Sequence, residues 1–312
     1  MTRRYTAAGT TAMEQAAIRS MRSTAQVPGS AGRKTAMKQS EKKLSGAENM
    51  GVQSAPDRFR GGIPGAVMGD ESRQESAAQS RTQDLLRRLY AFQICDSTFP
   101  IGTFNHSFGM ENYLRDGRIR KAPDFRTWIG NYYRSQFLCG EGLLTLLTYR
   151  ALENGQPDRI PELDDLLTRS TPALETRQGT KRIAKQMLIL VRRLHSDIPY
   201  LDLYESAIES GRAFGNPAVV FALFAHAEDI SAEETFLMYG YSVASTLVQN
   251  AVRSVPLGQR EGQAILSGII ALLGELYPEA EEMDEEDLGA NAPGLELAQI
   301  LHETQEARLF MS

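Results

Sequence analysis

The chain is poor in the residues from which reactive centres are commonly built: two cysteines and four histidines in 312 positions. Cys95 and Cys139 lie far apart, each among apolar neighbours and neither near a histidine in sequence. That removes the sequence-local pairing of a thiol nucleophile with its base and reads as two reduced core thiols. No Gly-x-Ser-x-Gly elbow is present, so the α/β-hydrolase type of serine chemistry has no signature either. No window approaches eighteen consecutive apolar residues, so no membrane-spanning helix is expected. The longest such run, AILSGIIALLGELY at 264–277, reads as a buried helix. No secretory signal is recognisable, and with reduced thiols this gives a cytoplasmic expectation. β-Branched runs alternating with period two are also scarce, which argues against strands.

Charge is divided unevenly. Residues 1–80 hold twelve Lys and Arg against seven Asp and Glu, leaving twenty-two against thirty-two for 81–312. The first segment is net positive by five and the remainder net negative by ten. An acidic globular part argues against a nucleic-acid role. Residues 1–80 are rich in Ala, Ser, Gly, Thr and Arg, with only Tyr5 and Phe59 as aromatics. Such a segment buries too little apolar surface to offset its chain entropy, so a disordered extension is expected, with room for a short helix at 11–24. GSAGRKT at 29–35 resembles a phosphate loop, but Arg33 stands where the glycine before the lysine must be, and no strand precedes it.

What is present is helical periodicity. From about residue 82, Leu85, Leu86, Leu89 and Phe92 recur at the spacing of one buried helix face. The segment 123–138 repeats it with Phe125, Trp128, Ile129 and Tyr132 or Tyr133. Further helices are expected at 104–115, 142–153, 158–169, 174–195, 200–211, 217–227, 231–254 and 259–276. Ser231 with Glu234 forms a capping-box pattern and Pro217 suits a first helical position. The expected fold class is all-α, a single helical bundle of about ten helices spanning 81–312 behind the extension. The acidic stretch 278–294 reads as a solvated loop. The last segment, 295–312, is amphipathic, with Leu295, Leu297, Ile300 and Leu301 on one face, and ends on apolar Leu309, Phe310 and Met311. Chain ends are usually polar and frayed, so this one is expected to dock either on its own core or on a partner.

Three histidine–carboxylate pairs were weighed as metal ligands. His106 and Glu111 are five apart, a separation that does not share a helix face. His226 with Asp229, and His302 with Glu306, have workable spacing but are isolated pairs. His195 is expected at the surface or capping a helix end. No catalytic residue and no resident metal or cofactor is therefore assigned. Surface recognition remains, centred on two dense stretches. FPIGTFNHSFGMENYL (99–114) carries Phe104, His106 and Glu111, and Gly109 sits inside the helix expected there, at a cost of about 1 kcal/mol relative to alanine. TLVQNAVRSVPLGQREGQAIL (246–266) carries Gln259, Arg260 and Gln263, whose polar groups can bond a partner's backbone without the desolvation cost of full charge.

Four blocks in order, DSTFPIGTFNHSFGMENYL (96–114), ALETRQGTKRIAKQML (173–188), 215–266 and the terminal ARLFMS (307–312), resemble the urease accessory protein F (UreF) family. The resemblance runs from about 84 to 312. It implies an all-α, typically dimeric, non-catalytic helper in urease maturation. Such a helper binds the UreD accessory protein, also called UreH, and the UreG GTPase, and docks on apo-urease, where the assembly inserts nickel. By the same resemblance Phe104 occupies an aromatic position contacting the UreD/UreH partner. Arg308 matches an arginine of that interface, and 295–312 is the segment that orders on binding, burying Leu309 and Phe310. Residues 278–294 contain no His or Cys, so the nickel ligands some relatives carry near that loop are missing. The Glu-Leu-Arg of the second block is Glu175–Thr176–Arg177 here.

Overall fold

A computed structural model describes residues 70–290 and 292–311, with side chains from residue 79 onward. The expectations for the N-terminal extension, its short helix and the phosphate-loop resemblance lie outside the described residues, apart from 70–80. Among the described residues there are eleven α-helices and no strand, and no helix is long and apolar enough to cross a membrane. They are α1 (Asp70–Cys95), α2 (Met110–Arg115), α3 (Ala122–Tyr132), α4 (Leu143–Glu153), α5 (Ile160–Ser170), α6 (Leu174–Leu194), α7 (Leu201–Glu209), α8 (Pro217–Ala227), α9 (Ala232–Ser254), α10 (Gln259–Glu282) and α11 (Pro293–His302). Short 3-10 turns precede α2 and α5, and a π-helical stretch, Tyr133–Gly142, joins α3 to α4.

The core is built around α8, whose sequence PAVVFALFAHA is apolar on every side; a helix of that kind must be enclosed. Every residue from Pro217 to Ala225 is buried, with α4, α6 and α9 packed around it. Asn216 caps α8 by accepting the amide of Ala218 at 2.9 Å, and Pro217 takes the first position, where its missing N–H costs nothing. Ser231 likewise caps α9 through the amide of Glu234. α9 lies along α10. Tyr133 donates to the Gly240 carbonyl at 2.6 Å, and a Cβ at Gly240 would come within 2.5 Å of Leu273, so only glycine lets α9 and α10 approach there.

Several expectations are corrected. α1 begins at Asp70, well before residue 82, and its core-facing residues are Ala91, Ile94 and Cys95; Leu85, Leu86, Leu89 and Phe92 are exposed, between 40% and 60%. Helical spacing identifies an apolar stripe but not the side on which the neighbours lie. The helix expected over 104–115 is broken: a 3-10 turn at Thr103–Asn105 and α2 are separated by Phe108 and Gly109 at φ 51° and 91°. The segment expected as one helix over 123–138 turns π-helical at Tyr133, although Phe125, Trp128, Ile129, Tyr132 and Tyr133 are buried as their spacing suggests. α10 continues to Glu282, with Pro278 inside it, so the acidic stretch is helix at its start and buries Ala280 and Leu288. His195 does cap α6, but its ring is packed between Tyr90 and Phe224 rather than in solvent. Both cysteines are free; Cys95 is buried, which pushes its thiol well up, and Cys139 is half-buried.

Two substitutions check this arrangement by urea denaturation. Leu89→Glu, on the outward face of α1, is expected to change stability by less than about 0.5 kcal/mol. Gly240→Ala, which forces a methyl between α9 and α10, is expected to cost about 1–3 kcal/mol.

Candidate partner-binding site

The stretch 99–114 and the chain end, almost two hundred residues apart, form one site. Gly109 makes the approach possible: its backbone is left-handed, and a Cβ there would meet Gln299 and Leu295 of α11 at 3.0 and 3.1 Å. α2 then faces α11. The Asn112 amide donates to the Ala298 carbonyl at 2.7 Å and its oxygen accepts from Gln305. The face of α11 turned inward is Leu295, Ala298, Gln299 and His302. Leu297, Ile300 and Leu301, expected to share the buried face with Leu295, point outward at 55%, 40% and 41% exposure.

At the centre His302, fully buried, places one ring nitrogen 2.9 Å from Glu111 Oε2 and the other 2.9 Å from Glu175 Oε2. Carboxylate oxygens accept hydrogen bonds, so the ring is gripped from both sides by acceptors. Arg308 Nη1 reaches Glu175 Oε1 at 2.5 Å. Two carboxylates, the imidazole and the guanidinium thus alternate along one chain, Glu111–His302–Glu175–Arg308. Burial would raise the Glu175 carboxyl, but the hydrogen bonds and charges of His302 and Arg308 outweigh it and hold the group below the usual range. Glu111, itself buried, also accepts the backbone amides of Leu309 at 2.5 Å and Phe310 at 3.0 Å. Glu303 accepts the amides of Leu174 and Glu175, supplying from the tail the cap that the first turn of α6 needs. The Met311 amide donates to Asn105. Arg253 of α9 donates to the Phe104 carbonyl and lies over the rings of both Phe104 and Phe310, 5.7 and 5.4 Å from their centroids.

The candidates read from sequence therefore separate into two groups. Glu111, His106 and Phe310 are buried rather than facing outward, and Glu111 holds the tail through the amides of Leu309 and Phe310. Arg308, expected to anchor a partner, spends its guanidinium on Glu175 and on the carbonyls of Glu303 and Gln305. The tail, expected to order on binding, is already docked. Phe104 and Leu309 are exposed, at 49% and 73%, with Met311 at 51%. Gln259 is exposed at the start of α10, away from these hydrogen bonds. His302 does not pair with Glu306, and among the described residues no group of three or more His, Cys, Asp or Glu converges as a metal site. Sequence reasoning missed Glu175, Glu303, Asn112 and Arg253. The only signal was that the second and fourth blocks occur together in one chain.

Fold and site together define an all-α protein whose most developed polar constellation clamps its own chain end beneath outward apolar side chains. Comparison with known proteins gives the family. The family model for UreF matches residues 119–270. The urease accessory protein UreF of Streptococcus thermophilus is 54% identical over 224 residues, covering 72% of this chain and 94% of its own. Those of Bacillus sp. and Lachnoclostridium phytofermentans are 42% and 38% identical, over 72% of this chain and 99% and 98% of theirs. The chain belongs to the UreF family of urease accessory proteins.

Removing one member of a buried charge pair leaves the others unpaired, so His302→Ala is expected to cost about 3–5 kcal/mol and to release the tail, seen as faster amide exchange at 303–311. Acid has a related effect. His106 is buried, and with the charges of Arg182 and His302 nearby its pKa falls to about 4. The unfolded chain takes up that proton first, so stability is lost as pH falls from about 6.5 toward 4. The lowered Glu175 adds a loss of the same sign as pH falls through its own titration. His106→Gln should show a shallower acid dependence in urea midpoints measured between pH 7 and 4.

Proposed function

We propose that this chain is a non-catalytic, cytoplasmic urease maturation protein that binds the UreD/UreH accessory protein through the face described above. Together with the UreG GTPase and apo-urease, in an assembly built on a homodimer of this chain, it enables nickel insertion. Nickel is cargo of that assembly; no resident cofactor is assigned here. Family membership supports the maturation role. The observation that carries the docking reading is the tail itself: Leu309 and Met311 are held outward by backbone hydrogen bonds to Glu111 and Asn105. An apolar surface fixed before contact loses less conformational entropy on binding than a disordered one, and exposed apolar groups set in a polar frame mark interaction sites. Phe104 extends this face, stiffened by Arg253. Gln259, outside it, offers neutral hydrogen-bonding groups to a second partner.

The test is co-purification of the full chain with UreD/UreH. Leu309→Asp with Met311→Asp is expected to abolish the complex, and Phe104→Ala to weaken it at least tenfold, while helical circular dichroism and urea midpoint stay unchanged. Undiminished capture by the double variant would overturn the docking face. Urea-hydrolysing or other turnover by the isolated chain would overturn the non-catalytic reading.

A further inference from the structure

A cleft of about 380 Å³ opens between α2, α3 and the first turn of α11, a volume within the range of ligand-binding pockets. Tyr113, Ile119, Trp128, Tyr132, Pro293 and Leu295 give it an apolar wall. The rings of Tyr113 and Trp128 stand 6.2 Å apart with their planes at 62°, so the wall is angled rather than flat. Trp128 is only 7% exposed. Its partners are the rings of Tyr113, Phe125 and Tyr132, and among the described residues no acceptor meets its indole N–H. A buried tryptophan usually has that hydrogen bond, so the cleft holds a donor in need of an acceptor.

Polar groups of α3 run beside the rings. The Thr127 hydroxyl is spent on the Pro123 carbonyl and that of Ser135 on the Asn131 carbonyl. Asn131, exposed between them, keeps its side-chain amide free; that group carries a donor beside an acceptor, as a peptide bond does. Charge is uneven along the same cleft. Arg118 is exposed and lies over the Tyr113 ring, 5.5 Å from its centroid, and no carboxylate among the described residues pairs with it. Asp124, the acid of the cleft, is committed to the amides of Arg120 and Lys121.

We propose that this cleft binds an extended, proline-bearing peptide segment of a partner protein, with an acidic residue of that segment at Arg118. Angled aromatic rings with a free indole N–H and a free amide suit such a segment. Proline rings pack on aromatic faces, and the polyproline conformation leaves its carbonyls unbonded to receive donors. Proline also brings no backbone N–H into an apolar cleft, where an unpaired one would be costly. The segment is ordered before it binds and loses little entropy on docking. The unpaired guanidinium of Arg118 supplies the charge complementarity that selects an acidic end.

Trp128 is the chain's only tryptophan, so its emission reads the cleft in the unmodified protein. Titration of the full chain with an acetylated, amidated Asp-Pro-Pro-Pro-Pro peptide should change that emission saturably, with a Kd of about 1 mM or tighter. An Asp-Gly-Ser-Gly-Ser peptide should leave it unchanged. By calorimetry, Asn131→Ala and Trp128→Phe should each weaken binding about tenfold; Asn131 is exposed, so its variant keeps the wild-type urea midpoint. An Ala-Pro-Pro-Pro-Pro peptide should bind less tightly than the Asp-headed one, and Arg118→Glu should abolish the difference. Absence of a saturable change, an equal response to the Gly-Ser peptide, or wild-type binding by Asn131→Ala would overturn the proposal. Emission that shifts with protein concentration alone would give the cleft to a second copy of the chain and overturn it as well.

Discussion

The C-terminal face of this protein depends on one buried histidine. His302 is out of water, its two ring nitrogens set against the carboxylates of Glu111 and Glu175, while Arg308 pairs with Glu175. An ion pair of this kind contributes little net stability over a well-packed apolar alternative, yet it is costly to break. Its use here is geometric. Glu111 comes from α2, Glu175 from the first turn of α6, His302 from the last turn of α11 and Arg308 from the tail. The charges therefore specify which four segments meet. Glu111 then uses its oxygens again to fix two tail amides, so the position of Leu309 and Phe310 follows from the same carboxylate.

That arrangement separates holding from presenting. Phe310 is buried and Leu309, its neighbour in the same bend, is 73% exposed. Arg253 does the same for the stretch 99–114, pinning the backbone of Phe104 while leaving much of its ring uncovered. The tail, expected to order on meeting a partner, is docked on its own chain by intramolecular hydrogen bonds.

Glycines stand at the places where segments must come close. Gly109 admits α11, Gly240 admits α10 against α9, and Gly142 admits the Phe137 carbonyl in the π turn. Phe108, not glycine, holds a left-handed conformation beside α11. Such a residue costs on the order of 1–3 kcal/mol and persists only where its surroundings over-determine it. Here Gln299 holds its carbonyl, and its ring lies beside His106.

How much of this was legible in the sequence follows from which interactions are local. The helices, the capping pattern at Ser231, the proline that opens α8 and the family blocks were readable, because periodicity, capping and turn chemistry act over a few residues. The outward faces of α1 and α11 were not. Leu85, Leu89, Leu297 and Ile300 have the spacing of core residues, and only the placement of neighbouring helices leaves them uncovered. Nor could the sequence reveal that His302 answers to Glu111 and Glu175, 191 and 127 positions away, rather than to Glu306 one turn on. The amino-acid order by itself determined an all-helical chain of the UreF type; tertiary packing alone decided which side chains became its charge clamp and which its exposed surface, because desolvation and charge pairing depend on distance in space, not on separation along the chain.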